Sequence, residues 1–90
     1  MHRVQQSWLH TAVKPYFEKK GIKLLRDDLL FIEKCLVNIP QERHRYVMRD
    51  YLAIWSATIE GNNLNKENAL NPRYEANVYL RSTAGLKGSD

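Results

Sequence analysis

The chain has 90 residues, of which 43% are hydrophobic and 27% are charged, and its formal net charge is +4 at pH 7. This composition is typical of one small globular domain and excludes an intrinsically disordered chain. No stretch approaches the ~20 apolar residues of a membrane-spanning helix, and the first ten residues lack the apolar run of a secretory signal. The missing span gives the expectation of no membrane contact. Because the lone Cys35 cannot form an internal disulfide, we also expect a cytoplasmic protein.

The basic residues are concentrated towards the N-terminus. Residues 1–26 hold six lysines and arginines against one acid, whereas residues 27–60 hold four against six. This excess is compatible with a polyanionic partner, but it is milder than the clusters of dedicated nucleic-acid binders.

The first predicted helix covers residues 3–14, where apolar side chains recur at helical spacing. Pro15 lacks an N–H group and crowds the preceding turn, so we expect the helix to stop or kink near Lys14. A further helical turn with Pro15 at its first position is the alternative. Two lysines and a glycine at residues 19–21 are typical of a helix C-terminus.

A second helix is predicted over residues 27–37, with two aspartates at its positive N-terminal end. It is apolar over most of its circumference, a pattern typical of a helix with neighbours on both sides. We expect it to be the central element or one face of a dimer, whose interface would bury Leu30, Phe31 or Val37.

The longest predicted helix covers residues 41–60 and is strongly amphipathic. Pro40 fits a first helical position, and Gly61 fits the residue just past the end. The apolar arc carries the largest side chains of the chain and predicts the core-forming helix; its members are Val47, Met48, Tyr51, Leu52, Ile54, Trp55 and Ile59. His44 projects towards this arc, so we expect a packed or partly exposed histidine there.

Residues 61–71 are rich in asparagine and predict a loop, whose order the sequence leaves open. Asn71 and Pro72 then give the N-cap and first residue of a last helix at about 72–82.

Taken together, these elements predict an all-α fold, a small bundle of about four helices. We expect a single helical domain over residues 1–82 and a flexible C-terminal tail over residues 83–90.

Signatures of catalysis, cofactor binding and metal binding are missing from the sequence. The three histidines lack HExxH spacing, and paired cysteines are absent. The four glycines form no phosphate-binding loop. Cys35 lies on an apolar helix and predicts a buried, inert thiol. We therefore expect a protein that is not an enzyme and that uses no cofactor or metal.

The last helix offers the best candidate for a binding surface. Arg73, Asn77 and Arg81 recur every four residues, with Tyr74 and Val78 beside them. Guanidinium and amide groups can reach base edges or phosphates, and a tyrosine can stack on a base. The alternative is a solvated face whose arginine stems cover apolar neighbours.

A second candidate surface lies at the start of the long helix, where Arg45 and Arg49 are prominent. The preceding helix, the short turn and this helix resemble a helix-turn-helix in outline. Against that interpretation, most of the long helix is needed for the core, and Glu42 and Asp50 can pair with the two arginines.

Two segments within residues 39–81, IPQERHRYVMRDYLAIW and NPRYEANVYLR, flank the asparagine-rich stretch. This half of the chain resembles small phage- and prophage-encoded helical accessory proteins of the replication and recombination gene neighbourhood. The resemblance implies an accessory protein that acts on phage or host nucleic-acid machinery, and it supplies no catalytic residues. The matching positions are Arg49, Trp55, Asn77 and Arg81.

Two hypotheses about function follow. The first is a non-enzymatic accessory protein that acts through protein–protein interaction with another protein or with itself as a homodimer. The alternative is a nucleic-acid-binding protein that uses the basic face of the last helix and the N-terminal lysines.

Overall fold

A computed structural model of the chain describes residues 6–86. Every regular element in this range is helical, so the predicted all-α class is confirmed. The chain divides into two compact units, Met1–His44 and Arg45–Asp90, called here the first and the second unit. Residues 3–5 of the first predicted helix and residues 87–90 of the predicted tail lie outside the described range. The expectation of one domain stays a prediction.

The first unit begins with a continuous N-terminal helical segment. It consists of α1 (Gln6–Trp8), a π-helical turn (Leu9–Val13) and α2 (Lys14–Lys19). Helical backbone therefore continues past Pro15 instead of ending there. In the π-turn the Lys14 N–H donates to the Leu9 carbonyl, five residues back. This wider turn stands directly before the proline, where a regular α-turn would crowd the proline ring.

The segment ends as the sequence predicts, with Gly21 in the left-handed region at φ 80°. The connection that follows leads into α3 (Arg26–Leu36), whose ends each lie one residue before the predicted ones. Leu25 is the N-cap of α3 and has no acceptor in its side chain. Instead, the Leu25 N–H donates to Asp28 Oδ2 over 2.7 Å, so Asp28 caps the helix from its third position.

Buried apolar side chains in the first unit come from the N-terminal helical segment, from the connection, from α3 and from the turn that follows α3. They are Leu9, Val13, Phe17, Ile22, Leu24, Leu29, Ile32, Cys35, Leu36 and Ile39.

His44, at the end of the first unit, is 4% exposed. Its Nε2 lies 2.8 Å from the Leu36 carbonyl oxygen and 2.7 Å from the Ile39 carbonyl oxygen. Since both partners are acceptors, Nε2 carries the proton and donates to them. The expectation of a packed histidine is confirmed, and the ring ties the end of α3 to the turn that follows.

Replacing His44 with phenylalanine removes this buried donor, and we expect the free energy of unfolding to fall by about 1–3 kcal/mol. Chemical denaturation monitored by circular dichroism measures the change. His10 is exposed, so His10→Phe is the control and should change stability by less than about 0.5 kcal/mol. Equal stabilities of the two variants would contradict the assignment.

A 3₁₀ turn (Gln41–Arg43) leads into α4 (His44–Leu64), the long amphipathic helix. It starts three residues later than predicted and ends four residues later. The expectation that Gly61 lies just past the end is wrong, because Gly61 is within the helix. A glycine ends a helix where a positive φ is required, and Gly61 does not have one.

Gly61 therefore adopts a conformation that alanine prefers, and a Cβ added there meets nothing within 4 Å. We expect Gly61→Ala to raise the free energy of unfolding by about 0.5–1 kcal/mol. Gly21→Ala is the matched control, because its Cβ also meets open space but its φ is positive. That control should be destabilised in the same denaturation experiment. Destabilisation by Gly61→Ala would show that α4 ends before this residue.

The loop after α4 contains a 3₁₀ turn (Lys66–Asn68) and is held at its end by Asn62. The Asn62 amide donates to the Leu70 carbonyl oxygen over 2.6 Å, and the Leu70 N–H donates to Asn62 Oδ1 over 2.7 Å. One side chain thus satisfies both backbone groups of Leu70 in the way that a neighbouring strand would.

The last helix, α5 (Pro72–Thr83), follows the sequence signals closely. Asn71 Oδ1 accepts from the Tyr74 N–H over 3.1 Å, and Pro72 occupies the first turn, as predicted. The helix ends one residue later than expected. Gly85 then takes φ 77°, and the Leu86 N–H donates to the Arg81 carbonyl oxygen over 3.0 Å. This arrangement is a typical C-terminal cap.

Candidate functional site

The inner face of α5, defined as Arg73, Ala76, Asn77 and Leu80, contacts α4. Ala76 and Leu80 are fully buried. The Tyr51 hydroxyl donates to Asn77 Oδ1 over 2.7 Å, and the Arg73 guanidinium carbon lies 5.0 Å from the centroid of the Trp55 ring. Arg73 is half-buried, so this cation–π contact forms partly away from water.

Polar groups predicted to recognise a partner are therefore used within the second unit. Arg73 stacks on Trp55 and Asn77 accepts from Tyr51; Arg81, one turn further on, is half-buried. For Arg73, this contact covers an apolar neighbour in the way that the second alternative from the sequence describes. Tyr79 adds a bond at the edge of this face, because its hydroxyl donates to Asp50 Oδ2 over 3.1 Å.

The outer face of α5, defined as Tyr74 and Val78, carries the large apolar side chains of this helix that are exposed. Tyr74 is 60% exposed and Val78 is 40% exposed. Their spacing of four residues places them side by side on the helix. The sequence analysis placed these two positions beside Arg73, Asn77 and Arg81, and the structure leaves them open to solvent.

The surface at the start of α4 is formed by Arg45, Tyr46 and Arg49, and is called here the Arg–Tyr surface. All three side chains are exposed, and the Arg49 guanidinium carbon lies 5.9 Å from the centroid of the Tyr46 ring. Tyr46, at 64% exposed, was not a candidate from the sequence. Its position on the polar side of the amphipathic helix was the signal that could have found it.

The residues proposed for an oligomer interface on α3 differ in exposure. Leu30 is 52% exposed, whereas Phe31 and Val37 are half-buried. Leu30 also lines a cleft of about 340 Å³ within the first unit, together with His10, Lys14, Arg26 and Leu29. Sequence patterns did not find this cleft, because its residues come from two separate helices.

A second cleft, of about 410 Å³, lies at the C-terminal end of α4 and is lined by apolar and amide groups. Asn62, one of its lining residues, already pairs with Leu70. The remaining lining residues are Ile54, Ala57, Thr58, Gly61, Asn65, Asn68 and Leu70 itself.

Residues 6–86 contain no group of three or more histidine, cysteine, aspartate or glutamate side chains arranged to hold a metal ion. Cys35 is fully buried, as the sequence predicts. Over the same residues, the helices are too short or too polar to cross a bilayer.

Comparison with known proteins adds no further constraint. The sequence matches no protein-family model, and neither curated proteins nor solved structures give a significant match.

The energetic coupling between Tyr51 on α4 and Asn77 on α5 can be measured. In a double-mutant cycle of Tyr51→Phe and Asn77→Ala, we expect a coupling energy of about 0.5–1.5 kcal/mol, since each variant removes one partner of the same hydrogen bond. Urea denaturation of the four proteins measures it. Effects that add to within about 0.3 kcal/mol would show that the bond does not form in solution.

Proposed function

We propose that this protein is a non-enzymatic helical accessory protein that acts through protein–protein contacts made by the outer face of α5. The observation that supports this proposal most strongly is the exposure of Tyr74 and Val78 on a helix whose inner face is packed. Tyrosine is enriched in protein interfaces because it combines a large apolar ring with a hydrogen-bonding hydroxyl.

A second copy of the chain is the simplest partner for this face. In a symmetric dimer the same patch is buried twice, so a small apolar surface contributes from both sides. The resemblance of residues 39–81 to phage and prophage accessory proteins supports a role beside replication or recombination machinery. The lone Cys35 favours a cytoplasmic setting.

We expect the wild-type chain to show the mass of a dimer at high concentration in size-exclusion chromatography with light scattering. Tyr74→Arg places a charge in the apolar face and should shift the mass towards the 10.6 kDa of one chain. Tyr46→Arg is the matched control, because this tyrosine is similarly exposed on α4, and it should leave the dimer intact. A wild-type monomer at every concentration, or a dimer that Tyr74→Arg does not weaken, would contradict self-association through α5.

Nucleic-acid binding is the second candidate function, and the Arg–Tyr surface favours it over the inner face of α5. An exposed tyrosine between two arginines can stack on an unpaired base while the guanidinium groups contact phosphates. An electrophoretic shift with single-stranded DNA or RNA that weakens with salt and in Tyr46→Ala would favour this candidate. The absence of a shift at low salt would reject it.

A further inference from the structure

The cleft of the first unit gathers basic side chains over an apolar floor. His10 and Lys14 come from the N-terminal helical segment, and Arg26, Leu29 and Leu30 come from the start of α3. Its volume of about 340 Å³ falls within the range of sites that bind small molecules.

The cations of the cleft have no acidic partner within the cleft itself among the described residues. No acidic side chain of residues 6–86 lines the cleft. Within the same range, Lys14 and Arg26 take part in no ion pair. The acid nearest in sequence to Lys14 is Glu18, which is exposed and does not line the cleft. The acids nearest to Arg26 are Asp27, which is exposed, and Asp28, whose Oδ2 accepts from the Leu25 N–H. A ligand with two negative charges would find both cations available.

Two features around the cleft depart from helix preferences, one in the sequence and one in the backbone. Arg26 occupies the first position of α3, where a cation opposes the positive end of the helix dipole. His10 belongs to the π-helical turn, and π-turns are frequent at functional sites. Departures of this kind concentrate where function requires a residue that stability alone would not select.

The floor of the cleft adds an apolar component. Leu29 is 6% exposed and fixed in the core, whereas Leu30 is 52% exposed and available to a ligand. An inorganic ion would leave this surface uncovered, but a ligand that joins an anionic head to an apolar group would cover it.

We propose that this cleft binds a small phosphate monoester that carries an apolar or aromatic group. Such a monoester bears a charge of about −1.5 to −2 at pH 7, which matches the two positive charges of Lys14 and Arg26. The arginine can donate two parallel hydrogen bonds to phosphate oxygens, the lysine acts as a point charge, and the His10 ring adds a further polar group. A carboxylate, with one charge, would leave one cation unmatched.

The full-length chain can be titrated with phenyl phosphate at low salt and followed by NMR. We expect saturable shifts at His10, Leu29 and Leu30, and weaker binding of inorganic phosphate and of phenol, each of which carries only half of the ligand. Equal affinities for phenyl phosphate and inorganic phosphate would overturn the apolar part of the proposal. The absence of saturable shifts with phenyl phosphate would overturn all of it.

Lys14→Gln and Arg26→Gln should each weaken phenyl phosphate binding by at least about tenfold, because each removes a charge-assisted hydrogen bond. Lys19→Gln and Lys23→Gln are matched controls, since both lysines are exposed and neither lines the cleft. Arg26→Lys keeps the charge but loses the forked guanidinium group. Its affinity for phenyl phosphate should therefore lie between that of the wild type and that of Arg26→Gln. If all five variants bind equally, the cleft is not the site.

Discussion

The hydrogen bond between the Tyr51 hydroxyl and Asn77 determines how the second unit presents its surface. Tyr51 is the largest fully buried side chain of the described residues, and its hydroxyl needs a partner where water has poor access. Asn77 supplies the acceptor, and Arg73, one turn earlier on α5, then lies over Trp55. These contacts set the rotation of α5 about its axis. The exposure of Tyr74 follows from that rotation.

The basic side chains of Arg73, Lys14 and Arg26 differ in what they do within their own units. Arg73 serves the packing of α5 on α4, so its charge contributes little to an external partner. Lys14 and Arg26 form no ion pair with a described residue, and they line one cleft together with the exposed Leu30. The two units therefore offer different chemistry, an apolar helix face in one and a cationic cleft in the other. Net charge alone does not distinguish these groups, since both raise it equally.

Local signals predicted the helices well, and non-local contacts explain what they missed. Asn71 and Pro72 marked the start of α5, because capping depends on residues within one turn. The prediction that α4 ends before Gly61 was wrong, since a glycine ends a helix where the backbone needs a positive φ and Gly61 does not have one. The Tyr51–Asn77 bond joins residues 26 positions apart, and the cleft joins two helices. Neither leaves a periodic pattern in the sequence, so neither site could be predicted from it.

The most direct test of the account is a nuclear Overhauser measurement on the full chain that asks which face of α5 contacts α4. The account predicts cross-peaks between the Trp55 ring protons and the Arg73 methylene protons, and none between the Tyr74 ring and α4. Cross-peaks from Tyr74 to the side chains of Tyr51 or Trp55, with none from Arg73, would show that α5 is rotated. In that case Arg73, Asn77 and Arg81 would face solvent, and the proposed interface on α5 would be wrong.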